Sequence, residues 1–298
     1  MSILIGCSGW SYEDWVGSFY PRELARRRGE WLAYYARYFS TVEINSTFYR
    51  PPGELQVASW VRKGSELRDF QYSLKMPQQV THEHMVRGER DGAIRGAAAF
   101  ERGCIEPLAQ AGLLGSVLLQ LSPFFSKDES NLRTLEAVLE SLSSLDYDYA
   151  VEFRHPSWRD GEGDMIDPQA AEILRQRSIA LALIDGPGPH IRRAEGPGHA
   201  YIRFHGRNYD IWYRGERERG EDDLRLNRYD YLYSLQELEP WVPRIREMEL
   251  NEQMIRIYFN NHARSKAAKN ALQLMDLLHI PHKSKEIRPQ DQFTLGCF

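Results

Sequence analysis

VEFR at residues 151–154 alternates apolar and charged side chains. Successive side chains of a β-strand point to opposite faces, so Val151 and Phe153 share one side while Glu152 and Arg154 share the other. VEIN at 42–45 repeats the arrangement, with Val42 and Ile44 on one face and Glu43 and Asn45 on the other. Working outward from these two segments, eight β-branched or aromatic runs appear: Ile3 to Cys7, Thr41 to Ser46, Asp69 to Lys75, Ser116 to Leu121, Asp148 to Arg154, Ile179 to Asp185, Ala200 to His205 and Met254 to Asn260. Helical patterns follow at Glu30 to Phe39, Glu54 to Lys63, Ala97 to Ala111, Ser130 to Leu145, Pro168 to Arg177, Tyr229 to Met248 and Lys266 to His279.

Alternating strands and helices imply a mainly parallel sheet, because parallel neighbours need crossovers. Eight such units predict a single (β/α)8 TIM-type barrel over residues 1–298, with a doubly wound open sheet as the alternative. GPGPHIRRAEGPG at 186–198 carries four Gly and three Pro, which predicts an irregular loop in place of the helix between strands six and seven. RGERERGEDDLR at 214–225 reads as a solvated surface loop. The sequence shows no repeat, linker or second domain.

The 298 residues, 42% hydrophobic and 27% charged, exclude collagen-like, low-complexity and disordered classes. No apolar run approaches the roughly 20 residues that span a bilayer, and Met1 to Cys7 lacks the basic flank of a secretory signal. Cys7, Cys104 and Cys297 are too few and too far apart for a disulfide framework or a cysteine-rich metal site. These features predict a cytoplasmic protein without membrane association. The net charge of −4 supplies no global field for nucleic acid, although a local basic cleft is compatible with it. Nothing in the composition specifies an oligomeric state.

Carried around the ring, alternation turns Ser8, Glu43, Asn45, Lys75, Gln120, Glu152, Arg154, Asp185, Arg203, His205, Tyr258 and Asn260 inward, near the strand C-termini. Barrel interiors are normally filled by branched apolar residues, and an isolated charge there costs several kcal/mol, so these groups must be paired or wet. One reading is a self-neutralising ion-pair network. The other is an active site at the mouth where barrel enzymes keep their catalytic groups.

The segments CSGWSYEDWVGSFYP at 7–21, VEINSTFYRPP at 42–52, SLKMPQQVTH at 73–82, VEFRHPSW at 151–158, YIRFHGRN at 201–208 and YFNNHA at 258–263 together resemble the YecE-like family, a domain of unknown function. The resemblance spans nearly the whole chain. It implies a TIM-type barrel and no established reaction, and it draws attention to Trp10, Glu43, Asn45, Thr47, Tyr49, Lys75, Thr81, His82, Glu152, Arg154, Trp158, Arg203, His205, Gly206 and Asn260. The loop 214–225 is longer and more polar than the family leads one to expect.

Several chemistries fit these residue types. Anion binding draws on Arg154, Arg203 and Lys75, with His205, Gly206 and Arg207 after strand seven and Asn261, His262, Arg264, Ser265 and Lys266 leading into the last helix. Glycosidic chemistry would use Glu43 and Glu152, with Trp10, Trp15, Tyr49, Trp158 and Trp212 stacking on sugars, but neighbouring cations lower the pKa that a glycosidase acid needs raised. A divalent metal held by Glu43, Glu152, Asp185, His205 or the His82–His84 segment is disfavoured by three cations in the same ring, and no cofactor motif occurs. Alternation turns Cys7 toward the helices as an inert thiol. Lys75 is placed for Schiff-base or general-base work, with an ion pair to Glu43 as the blander role.

The expectation that follows is an enzyme binding an anionic substrate, such as a sugar phosphate or nucleic-acid phosphodiester, and hydrolysing or rearranging it. Glu43, Glu152, His205 and Lys75 are the expected catalytic set. Trp10, Asn45, Tyr49, His82, Arg154, Trp158, Asp185, Arg203, Asn260 and Lys266 are the expected substrate contacts, and no residue is assigned to a metal. A non-catalytic module that binds nucleic acid or a partner is the competing class, and a carbohydrate-active enzyme the third.

Overall fold

The computed structural model describes residues 2–161, 164–187, 191, 198–209 and 229–288. Eight strands, β1 (Ser2–Ser8), β2 (Thr41–Ile44), β3 (Gln71–Lys75), β4 (Leu114–Gln120), β5 (Tyr149–Glu152), β6 (Ala180–Asp185), β7 (His199–Phe204) and β8 (Met254–Phe259), close into a barrel in chain order. Every neighbouring pair is parallel, and β8 returns to β1 with Cys7 opposite Phe259. All eight expected runs form strands, which settles the closed barrel over the open sheet.

The helices are α1 (Trp31–Tyr35), α2 (Ser46–Tyr49), α3 (Glu54–Ser65), α4 (Arg90–Phe100), α5 (Glu106–Gln110), α6 (Glu129–Glu140), α7 (Pro168–Gln176), α8 (Leu235–Leu238), α9 (Trp241–Asn251) and α10 (Lys266–Leu277). Helix α7 starts where the sequence signals it, with Pro168 in its first turn and the Asp167 carboxylate accepting from the N–H groups of Gln169 and Ala170.

Helix α1 keeps only half of the expected Glu30 to Phe39, and two further helices depart from expectation. The segment expected at Ala97 to Ala111 begins earlier, at Arg90, and widens to π geometry over Glu101–Ile105. Gly92 and Gly96 weaken this stretch as sequence, yet a Cβ on either would meet His84 or Val80 at 2.7 or 2.9 Å, so close packing on the π-helical segment Gln79–His84 requires them. The helix expected from Tyr229 is shorter and broken in two. Tyr233 instead lies buried, accepting from Gly206 N–H at 2.8 Å and donating to the Asp185 carbonyl at 3.1 Å, and a Ser234–Glu237 capping box then restarts the helix as α8.

Outward strand residues such as Ile5, Val42, Leu74, Val151, Ile202 and Ile257 join the helices in one core, while Leu118, Ala150, Ala180, Ala182, Tyr201 and Tyr258 form a separate cluster inside the barrel. Below that cluster, Arg256 donates to Asp148 at 2.7 Å and to Gln71 at 3.3 Å. At its centre, the Tyr258 hydroxyl lies 2.7 Å from both Thr41 Oγ1 and Ser73 Oγ. The lumen is therefore filled from the floor upward, and its polar upper layer sits at the C-terminal mouth. The crossover at 188–190 and 192–197 and the charged loop at 214–225 lie outside the described residues.

Candidate functional site

The upper layer is organised by Arg203 on β7, whose guanidinium reaches across the barrel. It donates from Nη2 to Glu43 Oε1 and from Nη1 to Glu152 Oε2, both at 2.7 Å. Glu43 also accepts from the Ser8 hydroxyl at 2.6 Å and the Tyr201 hydroxyl at 2.7 Å. Both glutamates are 0% exposed. Burial alone would raise their pKa values, but the guanidinium charges and hydrogen bonds overcome it and hold both below the ordinary range, Glu152 well below. Arg154, following β5, makes a close ion pair through Nε with the second oxygen of Glu152, and its Nη1 donates to the Pro187 carbonyl at 3.1 Å. Gln120 Oε1 accepts from Arg203 at 3.1 Å and faces Arg154 at 3.4 Å. Two carboxylates and two guanidinium groups thus neutralise one another.

Lys75 stands apart from that balance. Glu43 is taken up by Arg203, Ser8 and Tyr201, so the ion pair expected between Lys75 and Glu43 does not form; instead the amine lies 3.8 Å over the Phe48 ring. It makes no hydrogen bond or ion pair among the described residues, and it is 7% exposed. Its burial, with the Arg203 charge behind it, outweighs the attraction of Glu152 and Glu43 and brings its pKa down to about 7. The Thr47 hydroxyl fixes the backbone here, approaching the Lys75 carbonyl at 2.7 Å and accepting its N–H at 3.1 Å.

His205 follows β7 directly, and its ring is fully buried. Nε2 faces Arg154 at 3.2 Å and Arg203 at 3.4 Å, and Nδ1 faces the Asn260 amide at 3.1 Å. Burial, aided by both guanidinium charges, lowers its pKa to about 4, so the ring is neutral at pH 7 and braces the two arginines. Asn260 in turn meets Asn45 at 3.3 Å. His82, half-buried, packs edge-on against Phe48 at 4.9 Å; burial, with Lys75 and Arg154 nearby, lowers its pKa to about 4 as well.

Other expected site residues lie elsewhere. Asp185 faces the helices, because Ala180, Ala182 and Ile184 take the inward positions of β6; it is held by Arg207 at 2.7 and 2.8 Å and by the Trp241 indole at 2.8 Å. Trp158 is a core residue, stacked on Phe125 with its indole donating to the Phe125 carbonyl at 2.7 Å. Trp15 is likewise buried, donating to the His262 carbonyl at 2.6 Å. Lys266 is engaged by Asp230 at 2.7 Å, a carboxylate it shares with Arg264 at 3.1 Å. Trp10 is half-buried with its ring 6.4 Å from that of Tyr72, whereas Tyr49 is 70% exposed beside Phe48. Trp212 lies outside the described residues.

Sequence reasoning passed over Phe48, the platform for Lys75, although the segment VEINSTFYRPP that contains it was legible. Tyr201 was missed too, since its role as donor to a carboxylate from another strand has no local signature. Among the described residues no three His, Cys, Asp or Glu side chains group as metal ligands.

The family described as "Protein of unknown function DUF72" matches residues 4–293. The chain belongs to the DUF72 family. A DUF72 family protein of known structure from Thermotoga maritima is 32% identical, with a TM-score of 0.78 over 94% of this chain and 100% of that one. Another from Enterococcus faecalis, at 22% identity and a TM-score of 0.73 over 97% and 99% of the two chains, shares the fold. The UPF0759 protein YunF of Bacillus subtilis is 28% identical over 98% of this chain and 100% of its own length. The UPF0759 protein YecE of Escherichia coli is 28% identical over 80% and 82%.

Proposed function

We propose that this DUF72 protein is an enzyme acting on a small anionic substrate at the barrel mouth, with Lys75 as its reactive group. One observation carries the reading: Glu43 and Glu152 are matched by Arg203 and Arg154, while Lys75 stands as a buried amine without an ionic partner among the described residues. An anion placed against Lys75 supplies the missing counter-charge and favours the protonated amine. The Arg154 charge also acts on Lys75, and His205 links Arg154 to Asn260 and, through it, to Asn45, two amides able to orient a substrate. A phosphate ester and a carboxylate both satisfy this electrostatic demand.

The glycosidase reading fares worse. Both glutamates are ionised and bound to one guanidinium, so neither is a proton donor of raised pKa. A non-catalytic module would bind the anion equally well, and turnover of a substrate separates it from an enzyme.

Calorimetric titration with inorganic phosphate and sulfate tests the site. Affinity should weaken as pH rises from 6 to 8.5 and Lys75 loses its proton, and Lys75→Met should weaken binding at pH 6 by about tenfold or more, equivalent to ~1.4 kcal/mol. Equal affinity in wild type and variant would remove the reading.

A further inference from the structure

We infer that the Lys75 amine is a nucleophile that forms an imine with a small carbonyl compound carrying a carboxylate or phosphate group. The inference rests on the anion site proposed above and adds the substrate's reacting group. Of the seven lysines in the chain, Lys75 alone is buried. Its position is rigid: the side chain leaves the last residue of β3, the Thr47 hydroxyl clamps its backbone, and Phe48 supports the amine from one face at 3.8 Å. Hydrogen bonding and ion pairing, which occupy the nitrogen of an ordinary buried lysine, are absent here among the described residues. A structural lysine in a barrel interior would be expected to satisfy the nearest carboxylate. Glu43 and Glu152 are instead turned to Arg203, which leaves the nitrogen lone pair available whenever the amine is neutral.

The environment favours that state. A lysine at its ordinary value holds less than about 1% neutral amine at pH 8. With a pKa of about 7, Lys75 is roughly nine-tenths neutral at the same pH. Burial beside cationic groups is a recognised means of activating a lysine toward carbonyl groups.

The step balances without an external oxidant or reductant. The amine lone pair attacks the carbonyl carbon and forms the C–N bond, while the carbonyl oxygen gains a proton and the nitrogen loses one. The resulting hydroxyl takes up a proton from solvent and leaves as water while the nitrogen lone pair forms the C=N bond; the nitrogen keeps its remaining hydrogen, so the product is the protonated imine. His82 packs edge-on at 4.9 Å against the same Phe48 ring that supports the amine. The protonated imine is a cation at the position of Lys75, where the substrate's own anionic group offsets it. A neutral aldehyde would lack that compensation.

Trapping with cyanoborohydride tests the inference, because that reagent reduces the protonated imine to a stable secondary amine. Glyoxylate, glyceraldehyde 3-phosphate and neutral glycolaldehyde serve as probes at pH 7.5, with intact mass and peptide mapping as the readout. The expected result is one adduct at Lys75, formed at least tenfold faster than at any other lysine, from one or both anionic probes and not from glycolaldehyde. Lys75→Met should lose it, and inorganic phosphate should slow it in the wild-type protein, which guards against a variant that misfolds. Labelling spread over the exposed lysines, or equal with the neutral probe, would overturn the inference. Phosphate binding that depends on Lys75 without any adduct would overturn the imine and spare the anion site; absence of both would overturn both readings.

Discussion

Replacing Lys75 by Met should change how stability depends on pH, and the size of the change follows from the site. Methionine keeps the length of the side chain and its contact with Phe48 while removing the amine. In the unfolded chain Lys75 titrates near 10.5, but in the native protein burial and Arg203 bring it to about 7. Between these values the unfolded chain holds a proton that the native protein has released, so stability rises with pH by up to ~1.4 kcal/mol per pH unit. Below pH 7 both states are protonated, and the native protein carries the full penalty of a buried, unmatched ammonium. From pH 7 to pH 9 the wild-type protein should therefore gain about 2 kcal/mol relative to Lys75→Met. Urea unfolding of both proteins at pH 7, 8 and 9 measures this, because other titrating groups cancel in the difference. The variant should be the more stable at pH 7, with its advantage shrinking by pH 9. A difference constant to within about 0.5 kcal/mol would mean that Lys75 titrates as an ordinary exposed lysine, and the reasoning about its environment would fail.

Glu152→Gln should destabilise the fold by about 3–5 kcal/mol in urea, because it leaves Arg203 and Arg154 buried against a neutral amide; an unchanged or raised melting temperature would show instead that the mouth is well solvated. His205 titrates near 6.5 in the unfolded chain and about 4 in the native one, so its contribution is lost as pH falls from about 6.5 toward 4. His205→Gln should accordingly lose about 2 kcal/mol less than wild type between pH 7 and pH 4.5, and equal losses would refute the assignment. Trp158→Ala should cost about 3–5 kcal/mol while leaving phosphate affinity unchanged, since the indole packs on Phe125 and Phe153 rather than at the mouth; altered affinity would return Trp158 to the site.

The sequence by itself determined the barrel and most of its polar upper layer. Strand alternation is a local property, and where one face is plainly apolar, as in VEIN and VEFR, it assigns Glu43, Glu152 and Arg154 to the lumen without reference to the rest of the chain. It failed at Asp185 because ALALID is apolar at both parities before the aspartate, so no local contrast says which face is inside. Only the small residues Ala180 and Ala182, fitted against Tyr201 and Tyr258 in the lumen, settle that strand.

Which charge meets which was decided by tertiary structure alone. Arg203 and Glu43 stand 160 positions apart, and a count of cations and anions gives Lys75 as good a claim on that carboxylate as Arg203. Barrel closure places β7 two strands from β5 and three from β2, so that a planar guanidinium on β7 reaches both carboxylates with its two terminal nitrogens, which a single ammonium with one position cannot match. The surplus amine is thereby left on Phe48, and that outcome of long-range geometry turns a balanced set of charges into a site with something left to react.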